Sequence, residues 1–426
     1  MTAISYEALR QAIDNAAAIR AVTRLEPAGG AGDKVFPPTY LKERGAMTKY
    51  AFEDRMIGGR QVRTVLLDSV ASQANRMEEA LLDAYRRGEL DFPLVEVDFT
   101  ASKGLEDLDR ISALQAPHRI ADALLRDSVI DGTPFRQSEI GKAVTDARPN
   151  HATAMYQYCP TALVFGCWDS TGPKGGLGSK FARAIVSEIV GVDAVAGVKT
   201  ASRLDPAGIQ KNAGPVYEMK GAKNDWTTLE SEAAKEKDKL KLFSRKGAEG
   251  KDKGTPATIN HGNMAPTIDP DAGGVTIDHA QQTIVLSLAG LRRLRFQTRT
   301  DGKRFDDKLR PAAEGAARTA LAALALAAVV YQRENDFDLR SRSTLVATEP
   351  LEFELLGRDG GAPTTFTLDR TAAAALLARA RQEAEKLGLV WPDKPITLVP
   401  SPKLAKLITV SRELAAAGAA EEEASA

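Results

Sequence analysis

The chain has 426 residues, with 57 Lys and Arg against 57 Asp and Glu, so its formal net charge is zero. Zero net charge excludes a globally basic nucleic-acid binder but leaves room for a locally basic groove. At 43% hydrophobic and 27% charged residues a packed core is expected, and the length suits two or three domains or one core with large insertions.

Residues 5–18 read as a short helix and 19–28 as a strand ended by "GGAGD". Residues 34–63 form a basic insertion in which Lys34, Lys42, Arg44, Lys49, Arg55, Arg60 and Arg63 stand among Phe36, Tyr40, Tyr50 and Phe52. Its paired prolines at 37–38 argue against regular structure there. Residues 68–88 have the period of an amphipathic helix stopped by Gly88. The spacing then predicts a strand at 93–99, a helix at 119–131, a buried strand at 159–171, a glycine-rich loop at 172–180, a helix at 181–191 and a strand at 192–204.

Residues 219–256 hold ten Lys and Arg and seven Asp and Glu with few apolar groups, and read as a mobile charged insertion with a frayed helix at 229–242. A strand at 283–296, a core helix at 312–332, strands at 340–349 and 351–357 and a helix at 367–388 follow. The expected organisation is a core over 1–218, the mobile insertion 219–256, a second part at 257–411 packing on the core, and a disordered acidic tail at 412–426. The segments 19–28, 68–88, 93–99, 159–169, 179–191 and 192–204 best match a split β-α-β order, so the fold class is α+β and an RRM-like (ferredoxin-like) sheet is allowed.

Cys159 and Cys167 form no disulfide framework and lack CxxC spacing, and four histidines lie far apart. No metal and no cofactor is therefore expected, and the setting is read as cytoplasmic. The N-terminal segment lacks the apolar stretch of a signal peptide. The longest apolar run, Ala320 to Tyr331, has twelve residues. A membrane span needs roughly 18, so a buried helix and no membrane contact are expected.

Four stretches could carry chemistry. In "LLDSVASQANRMEEALL" (66–82), Ser69, Ser72, Gln73 and Arg76 recur at helical spacing, with Asn75 beside them. Short donors and one guanidinium at a helix start suit a phosphate backbone; the same groups would also serve as a cap and as bonds to neighbouring loops. The loop "GPKGGLGSK" offers Lys174 and Lys180, with Arg183 just after, but Pro173 stands where a phosphate-binding loop needs its first glycine. "INHGNMAP" places Asn260, His261 and Asn263 around Gly262, as a ligand-closing loop or as a turn. In "GLRRLRFQTRTDGKRF", Arg292, Arg293, Arg295, Arg299, Lys303 and Arg304 would aim guanidiniums at one surface if the segment were a strand. Asp169 is either a catalytic acid or a turn residue, and the turn is favoured. None of these makes an active site, and no enzyme is expected.

The strings "FPPTY" (36–40), "LLDSVASQANRMEEAL" (66–81), "APHRIADALLRDS" (116–128), "SRLDPAGI" (202–209) and "INHGN" (259–263) together resemble the RAMP-superfamily backbone subunit of type I CRISPR surveillance complexes, subtype I-U, later called I-G. The resemblance implies an RRM-like palm with finger and thumb insertions. It implies several copies stacked head to tail on one CRISPR RNA, presenting the guide to target DNA without cutting. It further implies a large subunit and end-capping or processing subunits as partners. Together with the readings above, it gives Arg44, Lys49, Ser69, Ser72, Gln73, Asn75, Arg76, Lys174, Lys180, Arg183, Arg203, Asn260, His261, Asn263, Arg292 and Arg295 as expected RNA contacts. The alternatives are a type III-like subunit that cleaves target RNA and a phosphate-binding enzyme that uses the glycine loop.

Overall fold

The computed structural model describes residues 3–42, 45–172, 179–222, 225–244 and 253–423, the last eight by backbone alone. Helix α1 (Tyr6–Asn15), capped by the Ser5 hydroxyl, runs straight into β1 (Ala16–Pro27). Along β1, Ile19, Ala21, Thr23 and Leu25 are buried while Val22, Arg24 and Glu26 are exposed, the period of two that a half-buried strand requires. Strands β2 (Phe52–Ile57) and β3 (Arg60–Asp68) form a hairpin, and helix α2 (Val70–Arg86) leaves β3 at the Ser69 cap. Gly88, at φ +72°, takes the left-handed turn that ends α2.

Strands β4 (Ile185–Val192) and β5 (His279–Ser287) pair antiparallel, and β1 pairs on the other side of β5. Helix α3 (Arg310–Glu334) follows, then β6 (Phe337–Asp338), β7 (Thr344–Ala347), β8 (Phe353–Gly357), β9 (Thr364–Phe366) and helix α4 (Arg370–Lys386). The nine strands lie in the order β2-β3-β4-β5-β1-β7-β6, with β8 also on β1 and β9 on β8. Helix α3 is buried from Ala313 to Gln332 on every side, so its all-round apolar surface is core. It is long and apolar enough to cross a membrane, and its most apolar stretch is wholly buried in the protein. The fold is thus α+β.

Contacts divide the chain into two compact units, 1–196 with 274–405, and 197–273 with 406–426. The division falls at 196 and 273, not at 218 and 256. The first unit also holds a five-stranded sheet in which Val95–Asp98 lies between Arg110–Ser112 and Ile396–Pro400. In the second unit a ribbon pairs Lys199–Arg203 with Met264–Asp269. A small core of Val216, Phe243 and Ile259, backed by Trp226, lies in the same unit.

Several expectations are corrected. The strand expected at 93–99 belongs to the second sheet. The segment 159–171, expected as a strand, is a helix at Pro160–Phe165, because Pro160 opens a helical turn and the short apolar run packs against α3. The segment 181–191, expected as a helix, is β4, whose Ile185, Val186, Ile189, Val190 and Val192 suit a strand with neighbours on both edges. Residues 119–131 break into a short turn, the helix Ala123–Arg126 and the strand Ser128–Ile130. In place of the helix expected at 229–242, Lys235–Glu236 pairs with Lys239–Leu240. The strand expected over 283–296 stops at Ser287 and turns into the helix Leu288–Leu291. From residue 412 the expected disordered tail lies in the helix Pro402–Glu423, where Ala, Leu, Lys and Glu are strong helix formers.

Candidate nucleic-acid interface

The polar stripe of α2 points inward. Gln73 is fully buried. Its amide donates to Asp68 Oδ2 at 2.7 Å, and its carbonyl oxygen accepts from Ser187 Oγ and Gln282 Nε2, both at 2.8 Å. Gln282 also donates to Gln332 Oε1 at 3.2 Å, so the network ties α2, β4, β5 and α3. Arg76 donates from Nε to Asp68 Oδ2 at 2.9 Å and from Nη2 to the Leu339 carbonyl at 2.6 Å. Arg340 completes the cluster, donating to Leu67 O at 2.8 Å and Asp68 Oδ1 at 3.3 Å. Gln73 is therefore corrected from a ligand contact to a core residue. Ser69 is the cap, Ser72 donates its backbone N–H to that cap, and Asn75, beside the stripe, is exposed.

A cavity of 590 Å³ in the first unit is more open chemistry. Leu163, Phe165, Leu291 and Leu294 give it apolar walls, while His118, Lys180, Arg183 and Arg293 supply polar and cationic lining. Trp168 is 54% exposed at this cavity, and the Lys180 ammonium stands 5.2 Å from its ring centre. Behind them Arg119 is buried and clasps Glu78 through two 2.7 Å bonds. Burial raises the Glu78 pKa against the pull of that guanidinium. Arg183 donates to the Val70 carbonyl at 3.3 Å. Desolvation first, then the Arg119 charge, lowers the Arg183 pKa, with Glu78 opposing both. Arg119 is bonded to Glu78, and the neighbouring Arg183 guanidinium adds a second positive charge to one carboxylate, so the wall is positive.

In the second unit, two strings distant in sequence interlock. Asp205 Oδ2 accepts from the Gly262 N–H at 2.9 Å and contacts His261 Nδ1 at 3.1 Å. Asp205 Oδ1 accepts from Ala207 N–H at 2.9 Å and Ile209 N–H at 3.4 Å. These hydrogen bonds, the one from Gly262 foremost, hold the Asp205 carboxyl down at about 2. Arg203 donates to the carbonyls of Gly262 at 3.0 Å and His261 at 2.7 Å, and Asn263 Oδ1 accepts from Asp205 N–H at 2.8 Å. Gly262 has φ +92° and its position faces Lys211 backbone at 3.3 Å, so glycine is needed where the loops touch. Asn260 is exposed and the His261 side chain is 44% exposed.

The remaining expected contacts are scattered. Lys49 is exposed on the basic insertion. Arg292 caps the end of α1, donating to Ile13 O and Ala16 O at 2.7 Å each. Arg295 pairs with Glu314 at 3.1 Å. With the segment turning into a helix after Ser287, the arginines of 292–304 do not align on one strand. Arg44 and Lys174 lie outside the described residues. Asp169 is buried and bound to Arg136 at 2.6 Å. Sequence reasoning missed Trp168, Glu78 and Arg119. The signal for the pair was an acid on the apolar side of α2, eight residues after Val70.

Residues 19–196 match the family described as CRISPR-associated protein GSU0053. Over that span, less than half of the chain, it is similar to a CRISPR-associated family. The matched span contains Asp68, Gln73, Arg76, Glu78, Arg119, Trp168, Lys180 and Arg183, and stops before Asp205, His261 and Arg340. Among solved structures, Thermofilum pendens Csc2 aligns over 89% of this chain and 80% of its own at 12% identity and a TM-score of 0.23, too low to bear on fold or function. No curated protein matches the chain.

Proposed function

We propose that this CRISPR-associated chain is the repeated, non-catalytic backbone subunit of a type I effector ribonucleoprotein. In the cytoplasm it holds the CRISPR RNA by its backbone, in several head-to-tail copies, and presents the guide to target DNA. Large and end-capping subunits complete the particle. The observation that carries this reading is the positive cavity wall beside an exposed tryptophan. The Arg183 guanidinium beside the Arg119–Glu78 pair leaves a net positive charge that calls for an anion, and the indole offers a flat surface to a base.

The palm is RRM-like on this reading. What supports it is the order β1, α2, β4, β5, α3, β7/β8 along the chain, with β7/β8, β1, β5 and β4 adjacent in that order across the sheet. The hairpin β2-β3 adds two strands beyond β4. The ribbon Lys199–Arg203/Met264–Asp269, inserted between β4 and β5, is the natural thumb. A cutting role has little to draw on at Asp169, which is buried and neutralised by Arg136.

The chain co-expressed with its neighbours and a guide RNA should purify with a 260/280 nm absorbance ratio typical of ribonucleoprotein. That ratio should fall after ribonuclease. Labelled target RNA and DNA incubated with Mg²⁺ or Mn²⁺ should stay intact on a denaturing gel. A nucleic-acid-free particle sinks the reading. Regularly spaced cleavage products abolished by one aspartate substitution favour the RNA-cleaving alternative.

A further inference from the structure

Asp205 takes four contacts, and three come from backbone N–H groups of residues 207, 209 and 262. A carboxylate so supplied is an ionised acceptor with no proton to give. The 3.1 Å contact to His261 Nδ1 therefore places the ring proton on Nδ1. In the neutral ring this leaves Nε2 as a lone-pair acceptor, on a side chain 44% exposed. The loop around it is fixed: Arg203 holds the carbonyls of 261 and 262, and Asn263 holds Asp205 N–H. Beside this latch, Leu204 is 86% exposed and Met264 44% exposed, apolar surface on both of the joined strings.

A fixed acceptor selects a partner that donates. Phosphate oxygens have no proton to donate, so a neutral His261 gains nothing from the nucleic-acid backbone charge. Base amines donate, but RNA and DNA share them. The ribose 2′-hydroxyl donates and belongs to RNA alone. We propose that His261 Nε2 accepts a hydrogen bond from the 2′-hydroxyl of a bound nucleotide, and that this contact makes the protein prefer RNA to DNA. Asp205 is the positioning residue, acting through the tautomer it imposes. The inference rests on the RNA-binding reading above and adds which sugar is chosen and by what.

The test uses the full chain and His261→Asn. The asparagine amide reproduces the Nδ1–H donor to Asp205 and lacks the outward acceptor. Filter binding is measured on single-stranded RNA, on DNA of the same sequence, and on the RNA with 2′-O-methyl sugars. The wild type should bind RNA about five- to tenfold more tightly than the other two, the worth of one hydrogen bond. His261→Asn should lose that preference and keep the wild-type affinity for DNA. Equal losses on RNA and DNA, or an unchanged preference in His261→Asn, would overturn the sugar assignment and leave RNA binding standing. A wild type that binds none of the three would overturn both readings together. Asp205→Asn, which frees the ring to place its proton on Nε2, should also narrow the preference; a preference as wide as wild type in folded Asp205→Asn counts against the positioning role.

Discussion

Two aspartates organise the polar chemistry of this protein, and they do opposite things. Asp68 is completely buried, and its partners are the side chains of Gln73, Arg76 and Arg340. Asp205 is fed mainly by backbone N–H groups from two loops. Side-chain partners close a cluster: around Asp68 the donors are used on the protein, and the result is the docking of α2 to β3 and to residues 338–340. Backbone partners fix a loop, and around Asp205 they leave an imidazole ring half-open. A cluster rich in polar side chains is therefore no guide to a ligand. What matters is whether a group is left facing outward after the protein's own needs are met.

The sharpest way to break this contrast is Asp68→Ala. It strands two guanidiniums and an amide, and should cost about 3–5 kcal/mol in urea unfolding of the full chain. A loss below about 1 kcal/mol would show that the cluster is not closed in the way described. Arg76→Ala leaves a smaller hole in the same cluster and should cost about 1–3 kcal/mol. The folded variant should keep wild-type RNA affinity; uniform weakening on all RNA sequences, with stability untouched, would return Arg76 to the interface.

Arg183→Ala tests the cavity, where the guanidinium is partly open. Guide-RNA affinity should fall about tenfold, with the salt dependence of binding shallower by about one unit of slope. Arg183 is exposed and holds the Val70 carbonyl at 3.3 Å, so stability should move by less than about 1 kcal/mol. A large stability loss with unchanged binding would place Arg183 with Arg76 as a structural residue.

The smallest effect is expected at Asp205, and it is read against pH. Its carboxyl is held at about 2, below the ordinary 3.8. A depressed acid contributes stability that is complete above its unfolded pKa and is lost as pH falls through the folded one. The stability difference between wild type and Asp205→Asn should therefore be constant above about pH 4 and shrink toward pH 2. A difference independent of pH down to 2 would mean that the backbone donors do not favour the charged form.

Much of the frame was legible in the sequence. The Ser69 cap, the Gly88 stop and the period of 68–88 specify α2 locally, because capping and helical spacing act within one or two turns. The same holds for the alternation in β1 and for the long apolar run of α3. Two stretches misled for a common reason. "CPTALVF" and "FARAIVSEIV" are short apolar runs, and a run of that length does not distinguish a buried helix from a buried strand. Partners decided: α3 takes the first as a helix, and β3 and β5 hold the second between two ladders.

The sequence also showed that α2 carries a polar stripe, but not where the stripe points. Gln73 finds Ser187 and Gln282 at 114 and 209 residues' separation, and Arg76 finds Leu339 at 263. No local pattern encodes such pairs. The strings around Asp205 and His261 were each visible, and their union, 56 residues apart, was not. Sequence alone determined α2, β1 and α3, and which groups could donate or accept. Tertiary structure decided which of those groups were already satisfied, because a buried polar group must find its partner wherever the chain brings one within about 3 Å.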